Sequence, residues 1–80
     1  MNKKLTEFYN LIGRNIKRIR TEHGDSQEKL AEKIGLSRTF ISYLESERTT
    51  TGVSLDTIFL IADLYNIHIN EFFEGYEIKK

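Results

Sequence analysis

The 80-residue chain has no cysteine and no proline. Without cysteine, neither a disulfide nor a thiolate metal site can reinforce a domain near the lower limit of what one apolar core stabilises unaided. The core must suffice, or a partner surface must complete it. Absence of cysteine is compatible with a reducing compartment, and a cytoplasmic location is expected. No alternating apolar run long enough to build a sheet occurs; five helical patterns predict an all-α, compact five-helix fold. No stretch approaches the length of a membrane span. The start, MNKKLTEFYNLIG, is basic, but Glu7 and Asn10 interrupt it and a signal peptide is not expected. Repeats, low-complexity segments and interdomain linkers are lacking, so residues 1–80 read as a single domain.

A net charge of one sign is lacking too: twelve Lys and Arg face twelve Asp and Glu. A nucleic-acid binder usually carries a basic footprint, and the footprint here lies in the distribution. Residues 1–48 hold ten basic against seven acidic residues, and residues 49–80 hold two against five. That polarity turns one end toward phosphates and the other away. Taken alone it reads as an ordinary solvated surface.

Enzyme chemistry is not expected. His23 and His68 are far apart, with no His-x-x-x-His spacing, so no metal ligand set is assigned. Neither a Walker loop nor a dinucleotide fingerprint occurs, and 80 residues leave little room for a substrate pocket. No cofactor or small-molecule ligand is expected.

What the chain does contain is SQEKLAEKIGLSRTFISYLE, residues 26–45. Ser26 is a good N-cap, Glu28 places negative charge in the first turn, and Leu30, Ala31 and Ile34 mark an apolar face. Gly35 ends that helix and Ser37 caps the next, so two short helices meet across a tight turn. Ile41 and Leu44 fix the second helix to the core. Arg38, Thr39, Ser42 and Tyr43 then point outward, and such side chains suit base edges. Before this unit, Ile12, Ile16 and Ile19 form a stripe on a first helix that runs to about His23, with residues 1–8 expected to fray. After it, Ser54 caps a fourth helix whose inward stripe is Leu55, Ile58, Ile61, Ala62 and Tyr65. A fifth helix is predicted from about Asn70 to Phe73, ended by Gly75.

The run RNIKRIRTEHGDSQEKLAEKIGLSRTFISYLESE resembles the lambda-repressor-like, xenobiotic-response-element type of helix-turn-helix DNA-binding domain. The resemblance rests on a basic first helix, the Gly24-to-Gln27 junction, Leu30-Ala31, Gly35, and Ile41, Leu44 and Glu45. SLDTIFLIADLYNIHINEFF is similar to the family's fourth and fifth helices, so the likeness runs from about Ile12 to Phe73. Residues 37–42 look most like the controller proteins of restriction-modification systems. The resemblance implies a DNA-binding transcriptional regulator. It also implies an internal salt bridge between Arg20 and Glu45. Asp25 stands where the family usually has an apolar residue, which either loosens the junction or supplies a cap. Glu47 stands where members often carry glycine or a basic residue.

Within this frame, Arg38 is the sharpest base reader, because a guanidinium can pair with guanine O6 and N7 in bidentate fashion. Thr39, Ser42 and Tyr43 are the further base contacts, with local capping or surface packing as the competing readings. Phe40 is expected to pack with partial exposure. Gln27, Ser37, Arg48 and Thr49 are the expected phosphate contacts, Gln27 acting beside the unpaired N–H groups of a helix start. Residues 55–78 carry more large apolar side chains than one face can bury. Phe59, Leu60, Leu64, Ile69 and Tyr76 are therefore the expected interface of a homodimer. The alternatives are that these residues hold the fifth helix and tail within one small core, or that the chain is an antitoxin-like module whose C-terminal apolar surface binds a partner protein.

Overall fold

The computed structural model describes residues 2–47 and 52–77, which form four α-helices and a closing 3-10 turn; no strand occurs among the described residues. The fold class is the all-helical one expected. α1 spans Lys3–Glu22, α2 Gln27–Ile34, α3 Arg38–Glu45 and α4 Leu55–Tyr65, and the 3-10 turn spans Ile69–Phe73. Ile12, Ile16 and Ile19 of α1 meet Leu30, Ala31, Ile41, Leu44, Ile58, Ile61, Ala62 and Phe72 in one buried cluster. Each large side chain so buried contributes about 1.5–3 kcal/mol.

α1 begins at Lys3, so residues 3–8, expected to fray, are helical. Asn2 accepts from the N–H groups of Lys4 (2.7 Å) and Leu5 (3.2 Å), capping the helix. One turn further on, Phe8 stacks on Phe73 and meets Tyr76 edge-on, with ring centroids 6.0 and 5.4 Å away.

The fifth helix expected from about Asn70 to Phe73 is the 3-10 turn Ile69–Phe73. It has no side-chain cap, and the Asn15 amide draws the carbonyls of Phe72 (2.9 Å) and Glu74 (3.0 Å) to itself. Those acceptors are thereby committed to α1. Arg18 adds a bond to the Glu71 carbonyl at 3.0 Å. The inward face of α4 is Thr57, Ile58, Ile61 and Ala62, with Tyr65 half-buried. Leu55, assigned to that stripe from spacing, is 81% exposed because it opens the helix where no neighbour covers it. Leu64, placed outside the stripe, is half-buried against the core.

α1 and α3 approach so closely at Gly13 that a Cβ there would collide with the backbone carbonyl of Leu44. Only glycine allows that crossing.

Candidate nucleic-acid interface

Three helix ends shape the interface. Ser26 accepts from Lys29 N–H at 3.0 Å and Ser37 from Phe40 N–H at 3.0 Å, so α2 and α3 each start on a serine cap. Between them Gly35 adopts φ +74°, and Leu36 N–H returns to the Ala31 carbonyl at 2.9 Å. That 6→1 bond is the Schellman closure, which needs the left-handed residue glycine supplies. α3 then starts immediately after Ser37, with Ile41 fully buried and Leu44 nearly so. On its other side Arg38, Thr39, Ser42 and Tyr43 are all exposed, together with Ser37. Phe40 is half-buried against the core.

A buried ion pair locks this face to α1. Arg20 donates from Nε to Glu45 Oε2 (2.7 Å) and from Nη2 to Glu45 Oε1 (2.9 Å), and its Nη1 donates to the Asp25 carbonyl (2.7 Å). The two side chains are only 9% and 3% exposed. Hydrogen bonding to Glu45 raises the Arg20 pKa above its already high value, so this charge is permanent. Gln27 Nε2 donates to the same Glu45 Oε1 at 3.0 Å. Glu45 therefore gathers α1, α2 and α3 on one carboxylate.

A model of the helix-turn-helix family matches residues 16–72. The chain belongs to the lambda-repressor-like helix-turn-helix family. Among solved structures it is similar to the restriction-modification controller protein C.AhdI from Aeromonas hydrophila. The two are 32% identical over 81% of this chain and 96% of that one, with a TM-score of 0.72. It is also similar to the hypothetical transcription factor NHTF from Neisseria, at 27% identity over 82% of this chain and 74% of that one, TM-score 0.71. No curated protein matches the chain. The family and these neighbours mark a DNA-binding regulator.

Asp25 does not cap α2, whose N-cap is Ser26. Asp25 is buried and accepts both oxygens' worth of bonds from Lys33 Nζ (2.9 Å each) and one from the Tyr65 hydroxyl (2.7 Å). The Tyr65 bond, then Lys33, lower the Asp25 pKa. Burial, then Asp25, raise that of Tyr65. His23 stacks on the Tyr65 ring at 4.1 Å. A polar clamp thus joins the α1–α2 junction to α4. The sequence signal was there: an acid at an apolar position and a tyrosine on an inward stripe. Asn15 was missed in the same way, although it lies on the face of Ile12, Ile16 and Ile19.

Of the expected phosphate contacts, Gln27 and Ser37 lie at the starts of α2 and α3, Gln27 with one amide bond already committed to Glu45. Arg48 and Thr49 lie outside the described residues. Arg38 has no side-chain partner among the described residues, nor does Lys17 of α1. Arg14 is engaged by Glu47, Nη1 to Oε1, at 2.5 Å.

Proposed function

We propose that the protein is a sequence-specific transcriptional regulator that binds a palindromic operator as a homodimer in the cytoplasm. The observation that carries this reading is the α3 surface: four polar side chains, Arg38, Thr39, Ser42 and Tyr43, exposed on a helix held rigidly by a serine cap and a buried ion pair. In this family arrangement the second helix of the unit enters the major groove by its N-terminal residues. Arg38, with no side-chain partner among the described residues and at the first position of α3, reads a guanine; Thr39, Ser42 and Tyr43 contact the neighbouring bases. Gln27, Ser37, Arg48 and Thr49 hold phosphates and set the register.

The dimer reading is supported by apolar side chains left exposed on α4, on the 3-10 turn and just after it. Phe59 is 62% exposed, Ile69 53%, Tyr76 54% and Leu60 36%, with Leu64 beside them half-buried. Pairing such patches about a twofold axis sets two recognition helices one DNA turn apart, about 34 Å. Occupancy then follows the protein's own concentration, which sets how much dimer is present.

Selection of bound sequences from a random DNA pool tests the function directly. On the selected operator, Arg38→Ala is expected to lose about 1–3 kcal/mol per half-site while binding to random duplex is unchanged. Equal weakening on both would make Arg38 a phosphate contact. A native mass that shows a monomer alone and a complex only with a second protein would favour the antitoxin-like reading.

A further inference from the structure

Glu47 is the first acidic residue beyond the end of α3, and it carries the wrong charge for a DNA-binding edge. Its carboxylate pairs with Arg14 of α1, both side chains being more than half exposed. Beside the pair runs a cleft of about 530 Å³ lined by Arg14, Lys17, Arg18, Thr21, Glu45 and Glu47. Arg14, Lys17 and Arg18 stand three and four residues apart, so they form one basic stripe on α1. Arg18 is bonded to Glu22 and to the C-terminal turn, and Lys17 has no ion-pair partner among the described residues. Arg14 is therefore the cation of the stripe that an acid from the α3–α4 connection neutralises.

The connection rests on α1 at both of its described ends. Glu47 binds Arg14, and Gly52 lies so close to Tyr9 that a Cβ there would come within 2.9 Å of the ring. Gly13, next to Arg14, abuts the last turn of α3. Arg14 thus flanks the C-terminal edge of the recognition helix, beside the loop that follows it. An arginine there has the fork geometry that suits a phosphate, and a carboxylate occupies that fork.

We infer that Glu47 is an electrostatic brake: it holds Arg14 off the DNA backbone and lowers affinity for every duplex without altering which sequence is preferred. The inference rests on the reading of the protein as a DNA-binding regulator. Glu47 occupies the site a phosphate would take, and its own negative charge repels the strand. With the carboxylate gone, the Arg14 guanidinium has no acid to leave before it meets a phosphate, which its fork matches in bidentate fashion. Because phosphate contacts carry no sequence information, the brake moves the concentration at which operator fills and leaves the ratio of specific to random binding alone.

The test is a two-by-two set of full-length variants, Glu47→Gln, Arg14→Ala and both together, titrated on selected operator and on random duplex from about 0.05 to 1 M salt. Glu47→Gln is expected to tighten binding to both DNAs, on the order of fivefold to tenfold per half-site at about 0.1 M salt. The salt slope should steepen by about 0.9 for the one phosphate gained. Arg14→Ala alone is expected to stay near the parent, within about twofold, and to erase both the gain and the steeper slope when added to Glu47→Gln. Unchanged affinity in Glu47→Gln overturns the inference. So does a gain that survives in the double variant, since that would be bulk charge acting without Arg14. Both side chains are exposed, and helical circular dichroism identical to the parent confirms that folding is not what is being read. If the parent itself selects no sequence and binds no duplex, the regulator reading fails; if it binds but ignores position 47, only the brake fails.

Discussion

Glu45→Gln removes a single charge from the carboxylate that joins three helices. The Arg20–Glu45 pair is almost dry, with Arg20 reaching both oxygens and Gln27 sharing one of them. A glutamine whose oxygen takes the Oε1 place keeps the bonds from Arg20 Nη2 and Gln27. Its NH2 then meets Arg20 Nε donor to donor, and the guanidinium stays buried with no counter-charge. Breaking a buried pair in this way costs about 3–5 kcal/mol. The lower end applies here, about 3 kcal/mol, because Nη1 keeps the Asp25 carbonyl and the amide oxygen keeps two donors. An 80-residue domain has a total stability of about 4–12 kcal/mol, so a loss of about 3 kcal/mol removes roughly a quarter to three quarters of it. Urea unfolding followed by circular dichroism measures this, with the midpoint falling by about 2–3 M at a slope of about 1 kcal/mol per molar. The companion variant, Arg20→Met with Glu45→Met, removes both charges and keeps the volume. It is expected to be more stable than Glu45→Gln alone, since no unpaired charge is left buried. A cost below about 1 kcal/mol, or one that vanishes in about 0.5 M salt, would mean that the pair behaves as an exposed one and would refute the argument.

Gly13→Ala is expected to destabilise by about 1–3 kcal/mol in the same assay, because the added methyl meets the Leu44 backbone rather than a side chain that can turn away. The Asp25 pKa is lower in the folded protein than in the unfolded chain, so its contribution is fully present above the ordinary aspartate range and is lost as pH falls through the folded value. Asp25→Asn is therefore expected to flatten the acid limb of a stability-against-pH curve and to leave a lower plateau at neutral pH; a parallel, unflattened curve would show that the Lys33 and Tyr65 bonds do not bias its proton. Phe59→Glu and Ile69→Glu are expected to give folded monomers by sedimentation, since both side chains are more than half exposed, with operator affinity collapsing as the half-sites cease to bind as one unit. Leu64→Glu, by contrast, is expected to lose helical signal because Leu64 packs on the core.

The helix-turn-helix was legible because its determinants are local. Ser26, Gly35 and Ser37 act on backbone groups within a few residues, and the spacing of Leu30, Ala31, Ile41 and Leu44 is a property of one helix at a time. The exposed set Arg38, Thr39, Ser42 and Tyr43 followed from the same periodicity. Errors arose at ends and in partnerships. Leu55 satisfies helical spacing, yet at the first position of α4 it is exposed while Thr57 and Ile58 of the same turn are buried. Asn70 to Phe73 do form the closing helical turn, in 3-10 form, and Asn15, more than fifty residues earlier, ties its end to α1 through the carbonyls of Phe72 and Glu74.

By itself the sequence determined the all-helical class, the two capped helices, the polar face of α3 and the charge division between the halves, since propensity, capping and period are written within a turn or two of chain. Which polar groups would find each other was decided only by tertiary structure. Asp25 meets Lys33 and Tyr65, Gln27 meets Glu45, and Arg14 meets Glu47 across 8 to 40 residues of chain. Such pairings depend on where rigid helices come to rest against a common core. A hydrogen bond needs its atoms placed to within a few tenths of an ångström, and no pattern along one helix carries that information about another.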